Sequence, residues 1–163
     1  MSADISMQSP ANTNDNLIES TPHRDFLTMT IADQTFGIPV LQVQDVLREQ
    51  RVTRVPLAPP EIEGSLNLRG RIVTAINMRK RLGLPPRTKN TNEKDMSVVV
   101  EHEGELFSLL IDTVGDVLSL PREDFQPNPA TLDPIWLAVS SGIYRLDRKL
   151  LVVLDVPKLL GDV

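Results

Sequence analysis

Residues 64–79 have the sequence GSLNLRGRIVTAINMR, and the fold is best predicted from this stretch outward. Within it, residues 71–76 are a short apolar run of strand length. Arg69 lies between this strand and a preceding one, and it is followed by a glycine that permits close approach of the backbone. Asn77 can cap a helical turn that ends at Gly83. The stretch therefore predicts two strands joined by a tight turn and followed by a brief helix.

The rest of the chain after the first two dozen residues is also typical of strands. Further segments have the apolar content or the alternation of β-strands, namely residues 26–31, 35–38, 96–101, 105–111 and 149–154. Glu103 and Gly104 lie between two of these segments, and the pair supplies the positive φ that a hairpin turn needs. Asp155 can cap a second helical turn, which ends at Gly161. The sequence therefore predicts an all-β fold with two short helical turns.

Two parts of the chain repeat each other. Residues 36–47 and 107–118 share a pattern of Phe, apolar residues, Val and Asp-Val-Leu. Further on, Gly64 matches Gly142 at a longer offset, which places about seven extra residues in the second copy, within the Pro-rich stretch 121–134. A duplication predicts two similar small β-barrels packed side by side, because each is too small to bury a sufficient core alone. The groove where two such units meet is a typical place for a partner to bind.

Composition excludes several classes of protein. The chain has 163 residues, a formal net charge of −5 and no cysteine, which rules out disulfides, thiolate metal sites and cysteine nucleophiles. This mild acidity argues against a protein whose whole surface binds phosphate or anionic lipid. No apolar run is long enough to span a bilayer. Residues 1–24 are polar, with neither a basic start nor an apolar stretch, so we expect a disordered tail rather than a secretion signal.

The sequence contains no recognisable catalytic motif, and we expect no enzyme, metal or cofactor. His102 lies beside acidic residues of a hairpin turn, where a solvated tip explains it better than a metal site does. Asp112 and Asp116 could be an acid/base pair, but both lie where a strand turns, and a local contact with the backbone explains them better.

The strongest asymmetry of charge lies between residues 64 and 92. This stretch has no Asp or Glu but seven basic residues: Arg69, Arg71, Arg79, Lys80, Arg81, Arg87 and Lys89. A single-stranded nucleic acid is one candidate partner, but the stretch has no aromatic ring on which a base could stack. A basic surface that attracts an acidic protein fits better.

The run from Gly64 to Arg79 resembles the signature of the CheW-like chemotaxis coupling (adaptor) protein family, in which Asn-Leu-Arg-Gly precedes a strand and a short helical turn. Residues 36–46 and 109–118 resemble two further segments of that family. Thr74 stands where the family usually has Pro. The resemblance covers about residues 26–160.

This resemblance implies a CheW-like domain over residues 25–163. Its fold would be two SH3-like β-barrels around a shared core. The first barrel would cover about residues 25–90 and the second about residues 95–161, and elements could be exchanged between them.

The resemblance also implies which residues bind partners. Members of the family bind the helical tip of a chemoreceptor in the cleft between the barrels, and the matching positions here are Val40, Val43, Asp45, Arg69, Val114 and Val117. The valines would form an apolar floor for one face of a receptor helix. Arg69 would pair with Asp45, which is one methylene shorter than the family's usual Glu.

Two further features follow from the same resemblance. Gly64 and Gly70 would be structural glycines at turns, with Gly64 in the turn that leads into the central strand. The surface that binds the kinase would lie between Leu47 and Leu57.

The implied function is that of a non-enzymatic adaptor, which couples chemoreceptors to a CheA-type histidine kinase in bacterial chemotaxis. It would work in the cytoplasm, at receptor arrays on the inner face of the membrane, without inserting into the membrane and without binding nucleic acid. Two alternatives remain open, namely an adaptor of this kind in a receptor–kinase pathway other than chemotaxis and a single-stranded nucleic-acid-binding β-barrel. The salt dependence of binding distinguishes the nucleic-acid-binding barrel from the two adaptor functions, because binding through phosphates weakens steeply as the salt concentration rises.

Overall fold

The computed structural model describes residues 22–48, 51–87 and 96–161. These residues form strands β1 (His23–Ile31), β2 (Gln34–Pro39), β3 (Val43–Arg48), β4 (Ile62–Leu68), β5 (Arg71–Asn77), β6 (Met96–His102), β7 (Glu105–Ile111), β8 (Thr113–Pro121), β9 (Ser140–Arg145) and β10 (Leu150–Leu154). The helices are short: α1 (Met78–Arg81), α2 (Pro134–Val139) and α3 (Val156–Leu160), with 3₁₀ turns at Val40–Gln42 and Arg122–Asp124. Among the described residues, no helix is long and apolar enough to cross a membrane.

The strands form two five-stranded sheets, which confirms the predicted all-β fold. The first sheet has the order β8-β1-β2-β10-β9, and the second has the order β3-β6-β7-β5-β4. The two sheets have matching patterns of pairing. In each, a hairpin lies at the centre, one neighbour joins it antiparallel and the other joins it parallel, through β2 with β10 and β7 with β5. This correspondence is the structural form of the repeat seen in the sequence.

The barrel ranges of about 25–90 and about 95–161 do not coincide with the two sheets, because the copies exchange their first hairpins. The β1–β2 hairpin lies in the sheet of β8–β10, and the β6–β7 hairpin lies in the sheet of β3–β5. The exchange makes every sheet contain strands from both copies. As a result, neither half of the chain can complete its sheet without the other.

Each sheet is closed into a barrel by a β-bridge of its own. The segment that follows β3 pairs with β4 through Thr53 and Ser65, and the segment that follows β8 pairs with β9 through Gln126 and Ile143. The glycines that match in the repeat lie at these bridges. A Cβ on Gly64 would lie 2.1 Å from the carbonyl oxygen of Thr53, and a Cβ on Gly142 would lie 2.6 Å from that of Gln126 and 2.3 Å from the Phe125 ring. Only glycine permits this approach, which explains why both copies have it.

The core has three parts. A large shared cluster lies between the sheets, and each barrel has a smaller cluster inside it. Strand β10 contributes to two of these clusters, because Val152 and Leu154 face the shared core whereas Leu151 and Val153 face the inside of the barrel formed by the first sheet. A strand that is buried on both faces has a continuous run of apolar residues, as β10 has in the sequence.

In three of the hairpins, a two-residue turn joins the strands. Ala32 and Asp33 have φ values of 50° and 67°, Glu103 and Gly104 have 51° and 81°, and Arg69 and Gly70 have 51° and 83°. Positive φ at both positions is typical of type I′ turns, which match the twist of the flanking strands. The predicted hairpin turns are therefore present.

Both predicted helix caps are also present. The Asn77 side chain accepts a hydrogen bond of 3.1 Å from the Lys80 N–H, and the Asp155 side chain accepts one of 3.1 Å from the Lys158 N–H. The prediction missed α2, because the Pro-rich stretch was interpreted only as an insertion. Asp133 caps this helix and Pro134 occupies its first position, where a proline costs no hydrogen bond.

The predicted tail was too long by two residues. His23 and Arg24 already belong to β1, where they pair with Pro121 and Leu120. The reason is that β8 extends to Pro121 and supplies hydrogen-bonding partners which sequence composition could not reveal. The remainder of the predicted tail, residues 1–21, lies outside the described residues.

Candidate functional site

The predicted partner-binding valines lie at the boundary of the shared core. Val40 is in the 3₁₀ turn that connects β2 to β3, Val43 begins β3, and Val114 is near the start of β8. All three are half-buried and pack against the shared cluster. We call these three residues the junction, because β3 and β8 are edge strands of different sheets.

A hydrogen bond places β8 beside the second sheet at this point. The Val114 N–H donates to the Met96 Sδ atom at 3.5 Å, and Met96 lies opposite Arg48 in the pairing of β3 with β6. The start of β8 therefore lies beside the Arg48 end of β3, at the opposite end of that strand from Val43.

Val117 has a different environment from the other valines. It lies on β8, opposite Leu27 of β1, and its side chain is 54% exposed. A β-bulge separates it from Val114, where the Thr28 hydroxyl donates to the Asp116 carbonyl oxygen at 2.7 Å. A Cβ on Gly115 would lie 2.6 Å from that hydroxyl oxygen, so the bulge depends on glycine. The bulge is one way in which a strand changes the direction of its side chains.

The structure brings Asp45 and Arg69 together. Nη2 of Arg69 lies 3.0 Å from Oδ2 of Asp45, and the side chains are 77% and 24% exposed. That carboxylate oxygen is buried and accepts no hydrogen bond, so the contact is an ion pair, while Oδ1 accepts the Val46 N–H at 2.9 Å. Asp45 therefore reaches Arg69 in spite of its shorter side chain.

This ion pair joins the two edges of the second sheet. Asp45 lies on the edge strand β3, whereas Arg69 lies at the tip of the β4–β5 hairpin, on the opposite edge. The tip is held by a hydrogen bond of 3.0 Å from the Gly70 N–H to Oδ1 of Asn67. Much of the guanidinium remains accessible to a partner.

One predicted structural residue needs correction. Gly64 does not lie in a turn but within β4, where it accommodates the Thr53 backbone at the bridge that closes the barrel. Close approach between distant segments, rather than chain reversal, explains the glycine. Gly70 occupies the β4–β5 turn.

The region between Leu47 and Leu57 continues from β3 past the barrel bridge. Residues 49–50 lie outside the described residues. Val55 is 43% exposed and Leu57 is fully exposed, with a positive φ of 64°. The region therefore presents apolar side chains to solvent, together with the exposed arginines Arg51 and Arg54.

The arginines of the basic stretch mostly serve the fold. Arg79 donates to both carboxylate oxygens of Asp112, at 3.1 and 2.7 Å, and Arg81 donates to the carbonyl oxygen of Leu159 at 3.0 Å. Arg71 makes a longer contact of 3.4 Å with the Gly104 carbonyl oxygen. Lys89 lies outside the described residues. Arg79, Lys80 and Arg87 line one cleft together with Asp112, whereas Arg69 and Arg71 belong to the β4–β5 hairpin.

The two aspartates considered as an acid/base pair have different roles. Burial alone would raise the pKa of Asp112, but hydrogen bonds from Arg79 and the Ala32 N–H, with the charges of Arg79 and Arg87, hold it below the ordinary value of 3.8. Asp112 is thus a constitutively charged structural partner. Asp116 is exposed on the bulge of β8.

Two apolar residues near the junction were not predicted. Leu41 is 96% exposed in the 3₁₀ turn and Val46 is 38% exposed on β3. The signal in the sequence is Pro39, which ends β2, so that Leu41 falls in the connection to β3 rather than in a strand. An apolar surface with an accessible arginine at its edge can bind another protein.

The comparisons with known proteins agree with this arrangement. The family model described as CheW-like domain matches residues 25–163. The chemotaxis protein CheW of Klebsiella aerogenes is 30% identical over 146 residues, which cover 90% of this chain and 87% of that protein. The CheW protein of Treponema pallidum is 29% identical over 138 residues, which cover 83% and 81%.

A solved structure shows the same architecture. The crystal structure of the scaffolding protein TtCheW from Thermoanaerobacter tengcongensis superimposes with a TM-score of 0.73 and 27% sequence identity, covering 82% of this chain and 89% of that one. The match supports the two barrels predicted from the repeat and the SH3-like fold that the family resemblance implied. The chain belongs to the CheW-like domain family.

Proposed function

We propose that this chain is a chemotaxis adaptor, which couples chemoreceptors to a CheA-type histidine kinase without catalysing a reaction itself. Family membership carries the general function, and the half-buried valines of the junction carry the proposed mode of binding. A core residue with no partner to meet would gain stability from complete burial. Leaving three valines partly open at the boundary of two barrels is typical of a surface that a partner covers.

The receptor would bind at the junction as a helix. Val40, Val43 and Val114 would contact the apolar face of a helix at the receptor tip, with Val117 extending this surface along β8. Arg69 would bind a carboxylate or carbonyl group at the edge, because its guanidinium is mostly exposed although it pairs with Asp45. Asp45 would hold the guanidinium in place before the receptor arrives.

The kinase would bind a separate surface, between Leu47 and Leu57. Val55 and Leu57 would provide the apolar contacts, and Arg51 and Arg54 would attract an acidic region of the kinase. Two separate surfaces are necessary for an adaptor, because the receptor and the kinase must be bound at the same time. We place the complex in the cytoplasm, at receptor arrays on the inner face of the membrane.

The proposal is tested by reconstitution. A purified receptor-tip fragment and the kinase are sedimented with and without this protein, and autophosphorylation of the kinase is measured in each mixture. We expect co-sedimentation of all three proteins and a change in autophosphorylation only when the adaptor is present. An unaltered rate, with no ternary complex at moderate salt, would contradict the proposal.

A further inference from the structure

A surface cleft of about 470 Å³ adjoins the junction on the side of the first sheet. It lies between the start of β1, the end of β2 and the second 3₁₀ turn. The residues that line it are His23, Arg24, Asp25, Pro39, Val40, Leu41, Gln42 and Arg122. We call it the arginine cleft. Val40 belongs to both the cleft and the junction, so the two surfaces are continuous.

The arginine cleft is positively charged on an acidic protein. Its lining contains two arginines and a single carboxylate, Asp25, whereas the whole chain has a net charge of −5. Within residues 22–48, 51–87 and 96–161, neither Arg24 nor Arg122 forms an ion pair with a carboxylate. Arg24 is placed by the ring of Phe26, whose centroid lies 5.2 Å from the guanidinium carbon. Arg122 is exposed and Arg24 is half-buried against that ring, so both charges stay unneutralised at the cleft.

The same cleft presents an apolar residue to solvent. Leu41 is 96% exposed, and the 3₁₀ turn that contains it buries none of its residues. Pro39 precedes the turn with φ −53° and is half-buried, which fixes the direction in which the chain leaves β2. A leucine held outward beside two arginines suits a ligand that is both apolar and acidic.

We propose that the arginine cleft binds a carboxylate of the receptor helix that docks at the junction. This inference rests on the proposed function and adds the chemistry of the partner. The helix would place its apolar stripe on the junction valines and Leu41, and an Asp or Glu on the flank of that stripe would lie between Arg24 and Arg122. Residues three or four apart share one face of a helix, so an acidic residue about one turn from the apolar contact can reach the cleft.

The helix is favoured over other occupants by the continuity of the surface through Val40. A partner that covers the junction must pass beside the cleft. Complementary charge there would also accelerate association and set the direction in which the helix lies. Residues 1–21 and a second copy of this protein are the other occupants that the test below distinguishes.

The test measures the affinity of the full chain for a purified two-helix fragment of a chemoreceptor tip. We compare Arg24→Glu, Arg122→Glu and the double variant with Arg148→Glu, an exposed arginine in the β9–β10 turn that does not line the cleft. Each single variant should bind about 3- to 10-fold more weakly, and the double variant should bind more weakly still. The control should stay within about twofold of the parent, and about 0.5 M salt should reduce the differences.

A second set of measurements identifies the carboxylate. Acidic residues of the receptor fragment are changed one at a time to the corresponding amide. One such change should make the fragment insensitive to Arg24→Glu and Arg122→Glu, because the two alterations remove the same contact. The unfolding midpoint of Arg122→Glu should match the parent, because Arg122 is exposed, whereas Arg24→Glu should unfold at a slightly lower temperature because it loses its contact with the Phe26 ring.

Several outcomes would overturn the inference. If Val117→Asp weakens receptor binding but the arginine variants bind normally, the cleft has no role and the proposed function stands. If Val117→Asp also binds normally, the proposed function itself fails. Tighter receptor binding after deletion of residues 1–21 would identify that segment as the occupant. A change in self-association of Arg122→Glu, with receptor binding unaltered, would identify a second copy.

Discussion

Replacing Arg69 with alanine separates a role in binding from a role in stability. The substitution keeps the Cβ atom, so the cost of the positive φ of 51° stays about the same. It removes a single ion-pair contact of 3.0 Å between side chains that are 77% and 24% exposed. We therefore expect a small effect on the fold and a large effect on the complex.

The magnitude follows from the exposure of the pair. Exposed ion pairs contribute about 0.2–1 kcal/mol to the free energy of unfolding. The buried Oδ2 atom of Asp45 loses its cation, which places the loss at the upper end, about 1 kcal/mol. For a domain of this size, that loss lowers the unfolding midpoint by about 2–4 °C. Loss of a charge-assisted contact to the receptor costs about 1.5–3 kcal/mol, which corresponds to an affinity roughly 10- to 150-fold lower.

The two quantities are measured by thermal unfolding, followed by circular dichroism, and by titration with the receptor-tip fragment. Arg71→Ala is the matched control, since Arg71 lies two residues further on and makes only the 3.4 Å contact with the Gly104 carbonyl oxygen. The control should keep both stability and affinity. A midpoint lowered by about 10 °C in Arg69→Ala, together with normal receptor affinity, would refute the reasoning and make Arg69 a structural residue.

Three further predictions concern the fold. Arg79→Ala should lower the free energy of unfolding by about 2–3 kcal/mol, measured by urea denaturation, because it leaves the mostly buried Asp112 carboxylate unpaired; a loss below about 0.5 kcal/mol would contradict this. Because the pKa of Asp112 is lower in the folded chain than in the unfolded chain, its ionised form stabilises the fold at pH values above the unfolded pKa of about 3.9. The difference in unfolding free energy between the parent and Arg79→Ala should therefore shrink as pH falls below about 4. A difference that is constant down to pH 3 would be evidence against the ion pair. A chain that begins at Pro22 should keep the unfolding midpoint of the parent. A chain that begins at Asp25 should unfold at a lower temperature, because it lacks the pairing of His23 and Arg24 with β8. Equal midpoints would show that this pairing does not contribute to stability.

Local features of the fold could be predicted from the sequence because their causes are local. The Glu103-Gly104 turn and the caps at Asn77 and Asp155 depend on residues within a few positions of one another. The repeat predicted two similar barrels in the same way, since it compares the chain with itself. These features establish the fold class without any knowledge of which strands pair.

Features that depend on distant residues could not be predicted. The family resemblance allowed for exchanged elements, but it could not be predicted that the β1–β2 and β6–β7 hairpins are the ones exchanged, because the same apolar alternation fits either sheet. The partner of Asp112 is another, since Arg79 comes from a helix 33 residues earlier. Gly64 was interpreted as a turn residue because its close neighbour, Thr53, becomes visible only when the barrel closes.

The candidate site also has parts that could be predicted from the sequence and parts that could not. The family resemblance predicted the junction valines as binding residues and named Asp45 as the residue opposite Arg69, and the contact between these two side chains is established by the structure. The sequence and its family resemblance did not identify Leu41 or the arginine cleft, because Arg24 and Arg122 are almost a hundred residues apart and meet through the pairing of β1 with β8.

The most direct measurement of the central claim is the affinity of Val117→Asp for the receptor-tip fragment and, separately, for the kinase. Val117 is 54% exposed, so a charge at this position does not disturb the core. Ile72→Asp, on β5 and 78% exposed, is the control for an added charge at an exposed apolar position. We predict that Val117→Asp binds the receptor at least about tenfold more weakly while the kinase affinity stays the same, and that Ile72→Asp binds the receptor normally. Normal receptor binding by Val117→Asp, or an equal loss with both partners, would contradict a receptor site at the boundary of the two barrels.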